Sequence, residues 1–235
     1  MQLHPSIRPY HEAFLRLVYP AACPLCEVLL EITESGLCAP CRVKMQNAAY
    51  GFEEACSGQR FEFLDSAWAL YPYESPAGEI LSAIKFFSKQ WLIPVFDQAI
   101  AQFAVAIASE TPYDALIPVP IDRKRLFERE FNQAELIAAL VSKHSGVPLK
   151  KSLKKVRRTF SQSGLAKKQR QINLFQAFQL FNSRSVEGKS FLLIDDIFTT
   201  GATGEEAART LKKHGARQVD ILTVARTESR ENSPQ

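Results

Sequence analysis

The stretch FLLIDDIFTTGATG, Phe191 to Gly204, decides the fold class. Its first four residues form an apolar run suited to a buried strand, and Gly204 to His214 repeats apolar and small residues at helical spacing until Gly215 ends it. Between them lie two consecutive carboxylates, Asp195 and Asp196, and a loop of small residues, Thr199, Thr200, Gly201, Ala202 and Thr203. A strand that delivers paired carboxylates at its carboxyl end puts them in the crevice where open α/β sheets take ligands. Carboxylates there accept hydrogen bonds from vicinal hydroxyls such as those of a ribose. A small-residue loop opening a helix wraps a phosphate with backbone N–H groups and adds the helix dipole, and Gly201 lets the backbone come close. A plain strand followed by a threonine-capped helix explains the threonines but not the carboxylate pair. The segment has neither the Gly-Lys-Ser/Thr of a P-loop nor the spacing of a dinucleotide turn. It reads as a ribose-phosphate site.

Working outward, Gln218 to Ala225 is a second apolar strand, and Leu64 to Tyr73 and Asp114 to Pro120 read as two more. Helical spacing predicts helices over Ala77 to Phe87 after Pro76, over Ile93 to Ser109, and over Asn132 to His144 before Gly146. Strands alternating with helices predict an α/β fold, a mainly parallel sheet with helices on both faces. Lys150 to Arg170 is rich in Lys, Arg, Ser and Gln and predicts a long mobile loop.

The formal net charge of +4 conceals a polarised middle: residues 121 to 170 hold 14 Lys or Arg against 4 Asp or Glu. Such a segment calls for an anionic partner, either the phosphates of a small substrate or a nucleic acid backbone. No run approaches the roughly 18 to 20 apolar residues of a membrane span, and the start MQLHPSIRPYHEAF lacks the order of a signal peptide. We therefore expect a cytoplasmic location without membrane insertion.

Cys23-Pro-Leu-Cys26 and Cys38-Ala-Pro-Cys41 are two C-x-x-C pairs separated by eleven residues. That spacing lets two tight knuckles converge on a zinc ion whose four thiolates leave no open position, so the site is structural. Metal binding then supplies much of the folding energy of a short segment. Cys56, the fifth cysteine, is expected to be a small core residue. A break at Ser57-Gly58 suggests an N-terminal zinc-ribbon region over 1–58 and a second domain over 59–235.

IDDIFTTGAT resembles the motif of type I phosphoribosyltransferases that binds 5-phosphoribosyl-1-pyrophosphate (PRPP). The resemblance implies that Asp195 and Asp196 engage the ribose hydroxyls at the catalytic centre. It implies too that Thr199, Thr200, Gly201, Ala202 and Thr203 hold the 5′-phosphate, and that pyrophosphate leaves bound to Mg²⁺. PVPIDRKRLFEREFNQ at 118–133, RRTFSQSGLAKKQRQINLFQAF at 157–178 and the cysteine pairs extend the likeness to the ComF family. Its members join a zinc ribbon to a phosphoribosyltransferase domain, and the family is linked to handling single-stranded DNA with the DNA-uptake machinery. One departure is Glu130, where the family usually has glycine.

Arg123, Arg125 and Arg129 follow the strand ending at Pro120 and read either as an exposed, charged helix start or as cations that neutralise pyrophosphate in the same crevice, with Arg129 the candidate catalytic cation. Lys85, in AIKFFSK, resembles the family's lysine after its first helix and is a candidate PRPP contact. Lys154, Lys155, Arg157 and Arg158 read equally as a lid over pyrophosphate or as contacts to nucleic acid. Two functions follow: a transferase using PRPP and Mg²⁺, or a module that senses PRPP or a nucleotide and binds single-stranded DNA through its zinc ribbon and basic loop.

Overall fold

A computed structural model describes residues 21–31, 34, 36–56, 59–156, 176–182 and 186–227. The proposed domain break at Ser57-Gly58 and the loop residues Arg157 and Arg158 lie outside them. The strands, in chain order, are β1 (Ala67–Pro72), β2 (Ala115–Pro118), β3 (Leu153–Lys155), β4 (Phe178–Leu180), β5 (Ser190–Phe198) and β6 (Gln218–Arg226). The helices are α1 (Ala39–Ala48), α2 (Phe52–Ala55), α3 (Pro76–Phe87), α4 (Asp97–Glu110), α5 (Arg123–Arg129), α6 (Gln133–Ser145) and α7 (Ala202–Lys212). β1, β6, β5 and β2 lie side by side in that order, every neighbouring pair parallel.

Period-2 alternation along β5 and β6 explains why their sequences read as unbroken apolar runs. Leu192 and Ile194 of β5, with Leu222 and Val224 of β6, pack in one core with residues of α3, α4 and α6. Phe191 and Leu193, with Val219 and Ile221, face the opposite way and pack with Ala207, Ala208 and Leu211 of α7. Helices on both faces therefore bury both sides of the sheet, as the parallel arrangement requires. Leu37 and Met45 from the cysteine-rich segment join the first of these cores.

Local chemistry sets the helix starts. Ser75 Oγ accepts the Ala77 N–H at 3.2 Å, and Pro76 supplies a first turn that needs no donor. Asn132 Oδ1 accepts the Ala134 N–H at 3.1 Å, while its Nδ2 donates to the Val119 carbonyl at 3.1 Å. One buried side chain thus caps α6 and ties it to the end of β2.

Several expectations change in detail. The helix expected over Ile93 to Ser109 is instead a 3₁₀ segment, Gln90–Phe96, followed by α4. Pro94 inside the 3₁₀ segment has no N–H to give an α-helical ladder. Gln90–Ile107 is, among the described residues, one helical stretch long and apolar enough to cross a membrane, a run the sequence reading missed. Its Leu92, Phe96, Ile100, Phe103 and Ile107 are buried in the protein core. The predicted loop after Lys150 contains β3, which pairs antiparallel with β4. Cys56 is exposed rather than in the core, held by an isolated bridge to Trp68 at the edge of β1. β5 runs on past Ile194 to Phe198, because Asp195, Ile197 and Phe198 still pair with Thr223, Ala225 and Arg226 of β6.

Glu130 has φ +64, in the left-handed region. The turn between α5 and α6 thus keeps the backbone geometry that suits glycine while carrying a side chain that strains it. We expect Glu130→Gly to stabilise the protein by about 1 kcal/mol, read from the urea midpoint at unchanged slope. A loss of stability would show that the Glu130 side chain makes compensating contacts.

Candidate functional site

A cavity of about 630 Å³ opens at the carboxyl ends of all four parallel strands. Tyr73 follows β1, Val119 and Pro120 follow β2, Asp195, Asp196 and Phe198 belong to the end of β5, and Thr227 follows β6. A ligand in this crevice meets groups from every strand of the sheet.

The carboxylate pair sits within the last paired residues of β5 rather than beyond it. Asp195 Oδ1 accepts the Asp196 N–H at 2.9 Å, and Asp196 Oδ1 accepts the Ile197 N–H at 2.8 Å. Each carboxylate is thereby fixed by the backbone of the next residue. Part of the Asp195 surface reaches the cavity, yet protein surrounds the group. Burial first, and the adjacent Asp196 charge second, push its carboxyl well above the ordinary carboxylate range. The Asp196 N–H and the charge of Lys155 act in the other direction.

The loop beyond β5 leads straight into α7, whose N-cap is Gly201 at φ +74. A Cβ there would lie 2.7 Å from Phe198 Cζ and would also strain the backbone, so glycine is required on both counts. α3 and α6 are capped by Ser75 and Asn132, whereas no side chain caps α7. Glu205, in its first turn, accepts the N–H groups of Glu62 and Phe63 at 2.7 and 2.9 Å. The start of α7 faces the cavity as an anion seat, with the dipole favouring negative charge.

Of the residues singled out from sequence, Lys85, Arg129, Asp195, Asp196, Thr199, Gly201, Ala202 and Thr203 all line this cavity. Thr200 belongs to the same loop but not to the lining. The side chains of Arg123 and Arg125 lie outside the described residues. Lys155, read from sequence as part of a loop that closes over pyrophosphate or contacts nucleic acid, lines the cavity from β3. Tyr73, Gln133 and Thr227 were missed altogether. The signal for Tyr73 and Thr227 was their place at the ends of apolar strands, and that for Gln133 was its place at the end of the family-like motif at 118–133.

The second candidate centre lies in the N-terminal segment. A tight turn, with Glu27 N–H donating to the Cys23 carbonyl at 2.8 Å, brings Cys23 and Cys26 together. Cys38 is the N-cap of α1, which places Cys41 in its first turn. The four sulfurs lie within 4.8 Å of one another, and Cys26 and Cys38 Sγ are 3.6 Å apart. All four are free thiols. A tetrahedral ion with metal–sulfur bonds of about 2.3 Å sets its ligands about 3.8 Å apart, so the cluster fits a metal. Burial opposes ionisation of Cys23, but the backbone N–H groups of Cys38, Leu25 and Cys26 pull its thiol down to about 7. Burial, reinforced by the neighbouring sulfurs, pushes Cys41 up to about 12. Four thiolates in so small a volume need a cation among them.

This fold and cavity define a phosphoribosyltransferase-like protein, and residues 133–235 match the family model for the phosphoribosyl transferase domain. Competence protein F of Haemophilus influenzae is 28% identical over 224 residues, which cover 87% of this chain and 96% of that one. The DNA utilization protein YhgH of Salmonella typhi is 25% identical over 228 residues, 90% of this chain and 99% of its own. Competence protein ComFC of Bacillus subtilis is 32% identical over 162 residues, 68% of this chain and 63% of its own. The chain is thus similar over most of its length to competence and DNA utilization proteins.

Elemental analysis is expected to find one metal ion per chain, lost in Cys38→Ser together with a lower melting temperature. A metal-free protein that melts where the metal-loaded protein does would contradict the centre.

Proposed function

We propose that the cavity binds PRPP with Mg²⁺ and that the protein transfers the phosphoribosyl group to an acceptor, releasing pyrophosphate. One observation carries the reading: a fixed carboxylate pair and an uncapped helix start share one cavity with Lys85, Arg129 and Lys155. The phosphate at one end of PRPP matches the Thr199–Thr203 loop, and its ribose hydroxyls match Asp195 and Asp196. The cationic side chains take the diphosphate.

A carboxyl raised by burial and by a second carboxylate beside it also favours a bound cation, so the pair fits Mg²⁺. Asp195 and Asp196 would hold that ion, which would supply positive charge beside the departing diphosphate. The acceptor forms a bond to the ribose C1 as the C1–O bond to diphosphate breaks. The diphosphate takes the electron pair, and the acceptor gives up its proton. Zinc is our assignment for the four-cysteine centre, on the all-thiolate ligand set, and the same elemental analysis tests it.

Asp195→Asn should reduce pyrophosphate release from PRPP to background across a panel of bases and amines. The same variant should melt a few degrees higher than the wild type at neutral pH, because it removes a carboxylate whose charge is costly where it sits. The sign follows from a folded-state pKa above the unfolded one. The charge cost is felt above that raised value and vanishes below the ordinary aspartate range, so the gain should disappear in acid. Undiminished release from Asp195→Asn would sink the assignment.

A second reading, a module that binds single-stranded DNA, has one observation in its favour. Phe181 is 66% exposed with Lys154 Nζ 5.7 Å from its ring centre, and Phe86 is 70% exposed with Lys85 Nζ at 5.6 Å. Exposed aromatic faces paired with cations are what unpaired bases and phosphates bind. The names of the relatives, competence and DNA utilization, bring DNA-uptake proteins into consideration as partners. Oligonucleotide affinity should fall steeply with salt and weaken in Lys154→Ala and Phe181→Ala; salt-independent binding would contradict it.

A further inference from the structure

Gln133 stands at the first position of α6, only 2% exposed, and its Nε2 has no hydrogen-bond partner. Its neighbour Asn132 shows the contrast. Both polar atoms of Asn132 are engaged, Nδ2 with the Val119 carbonyl and Oδ1 with the Ala134 N–H. Asn132 is thereby explained by the fold and Gln133 is not. Buried amide groups in native proteins are nearly always satisfied, and an apolar side chain of the same length would carry no such cost here. Gln133 nevertheless lines the cavity that holds Asp195, Asp196 and the Thr199–Thr203 loop.

Its position says which part of a ligand it meets. Asn132 ties the start of α6 to the end of β2, whereas α7 starts at the end of β5. β2 and β5 are adjacent and parallel, so two helix starts open on one crevice from neighbouring strands. A ribose held by Asp195 and Asp196 with its 5′-phosphate at α7 carries its C1 substituent away from α7. Lys85, Lys124, Arg129 and Lys155 in the same lining outnumber Asp122 and Glu128, so an anionic substituent is the one that fits.

We propose that Gln133 donates a hydrogen bond to the diphosphate on C1 of bound PRPP. It is then a specificity residue that distinguishes PRPP from a ribose bearing the 5′-phosphate alone. The inference rests on the PRPP reading given above. A neutral amide suits the position, since it adds a directed donor where Lys85 and Arg129 already supply charge, and the dipole of α6 favours the same anion.

The test is calorimetric titration of the full chain with PRPP and Mg²⁺, and separately with ribose 5-phosphate, for wild type, Gln133→Met and Gln133→Glu. Melting temperatures are measured without ligand. Gln133→Met should bind PRPP about tenfold more weakly, the loss of one hydrogen bond to a charged group. It should bind ribose 5-phosphate as the wild type does and melt no lower. Gln133→Glu should weaken PRPP further, because its charge opposes the diphosphate, while an acidic group at a helix start does not harm folding. Unchanged PRPP affinity in Gln133→Met would overturn the proposal, and so would a parallel loss of both ligands with a lower melting temperature, the signature of a structural role. A wild type that binds ribose 5-phosphate but gains nothing from the diphosphate would also overturn it. One that binds neither ligand would overturn the PRPP reading beneath it.

Discussion

Two adjacent carboxylates at the enclosed end of a central strand repel one another, and the surroundings of β5 are built to hold them there. Asp195 carries the larger burden, its carboxyl raised by burial and by the charge of Asp196. Pairing of β5 with β6 as far as Phe198 fixes the backbone, and the next N–H in the chain anchors each carboxylate. The repulsion is kept rather than relieved. In the ligand-free protein it is a cost, and under the proposed function a cation or the hydroxyls of a sugar would remove it.

The same strand orders everything around it. Its alternating side chains divide the protein into two cores, and its end feeds the loop that opens α7. The neighbouring strand β2 is joined to α6 through Asn132, which brings a second helix start to the same crevice. The cysteine-rich segment contributes Leu37 and Met45 to the core shared with α3 and α4. A metal held by its four cysteines would therefore support a segment packed against the sheet.

Much of this was legible in the sequence because the signals were continuous. The apolar runs of β5 and β6, the carboxylate pair, the small-residue loop and the paired C-x-x-C motifs each sit within a few residues and need no distant partner to be recognised. Lys85, singled out by family likeness, and Arg129, singled out by its place after the strand ending at Pro120, both line the cavity. What escaped depends on distant contacts. β3 is three residues long and exists through pairing with β4, a segment more than twenty residues further on, so its composition reads as loop. Lys155 consequently reads as part of a loop that could close over the site, whereas the structure puts it on a strand in the cavity wall. Gln133 looks like an ordinary polar residue at a helix start, and its burial is a product of packing between α6 and the end of β2. Glu130 is the reverse case, since replacing the family's glycine there leaves the left-handed turn in place.

The most direct test of the proposed PRPP site is a crystal structure of the protein with PRPP and Mg²⁺. The expected result has the 5′-phosphate at the start of α7 against the Thr199–Thr203 backbone, the ribose hydroxyls on Asp195 and Asp196, and the diphosphate toward α6. A ligand bound outside this cavity, or bound with its 5′-phosphate away from α7, would contradict it.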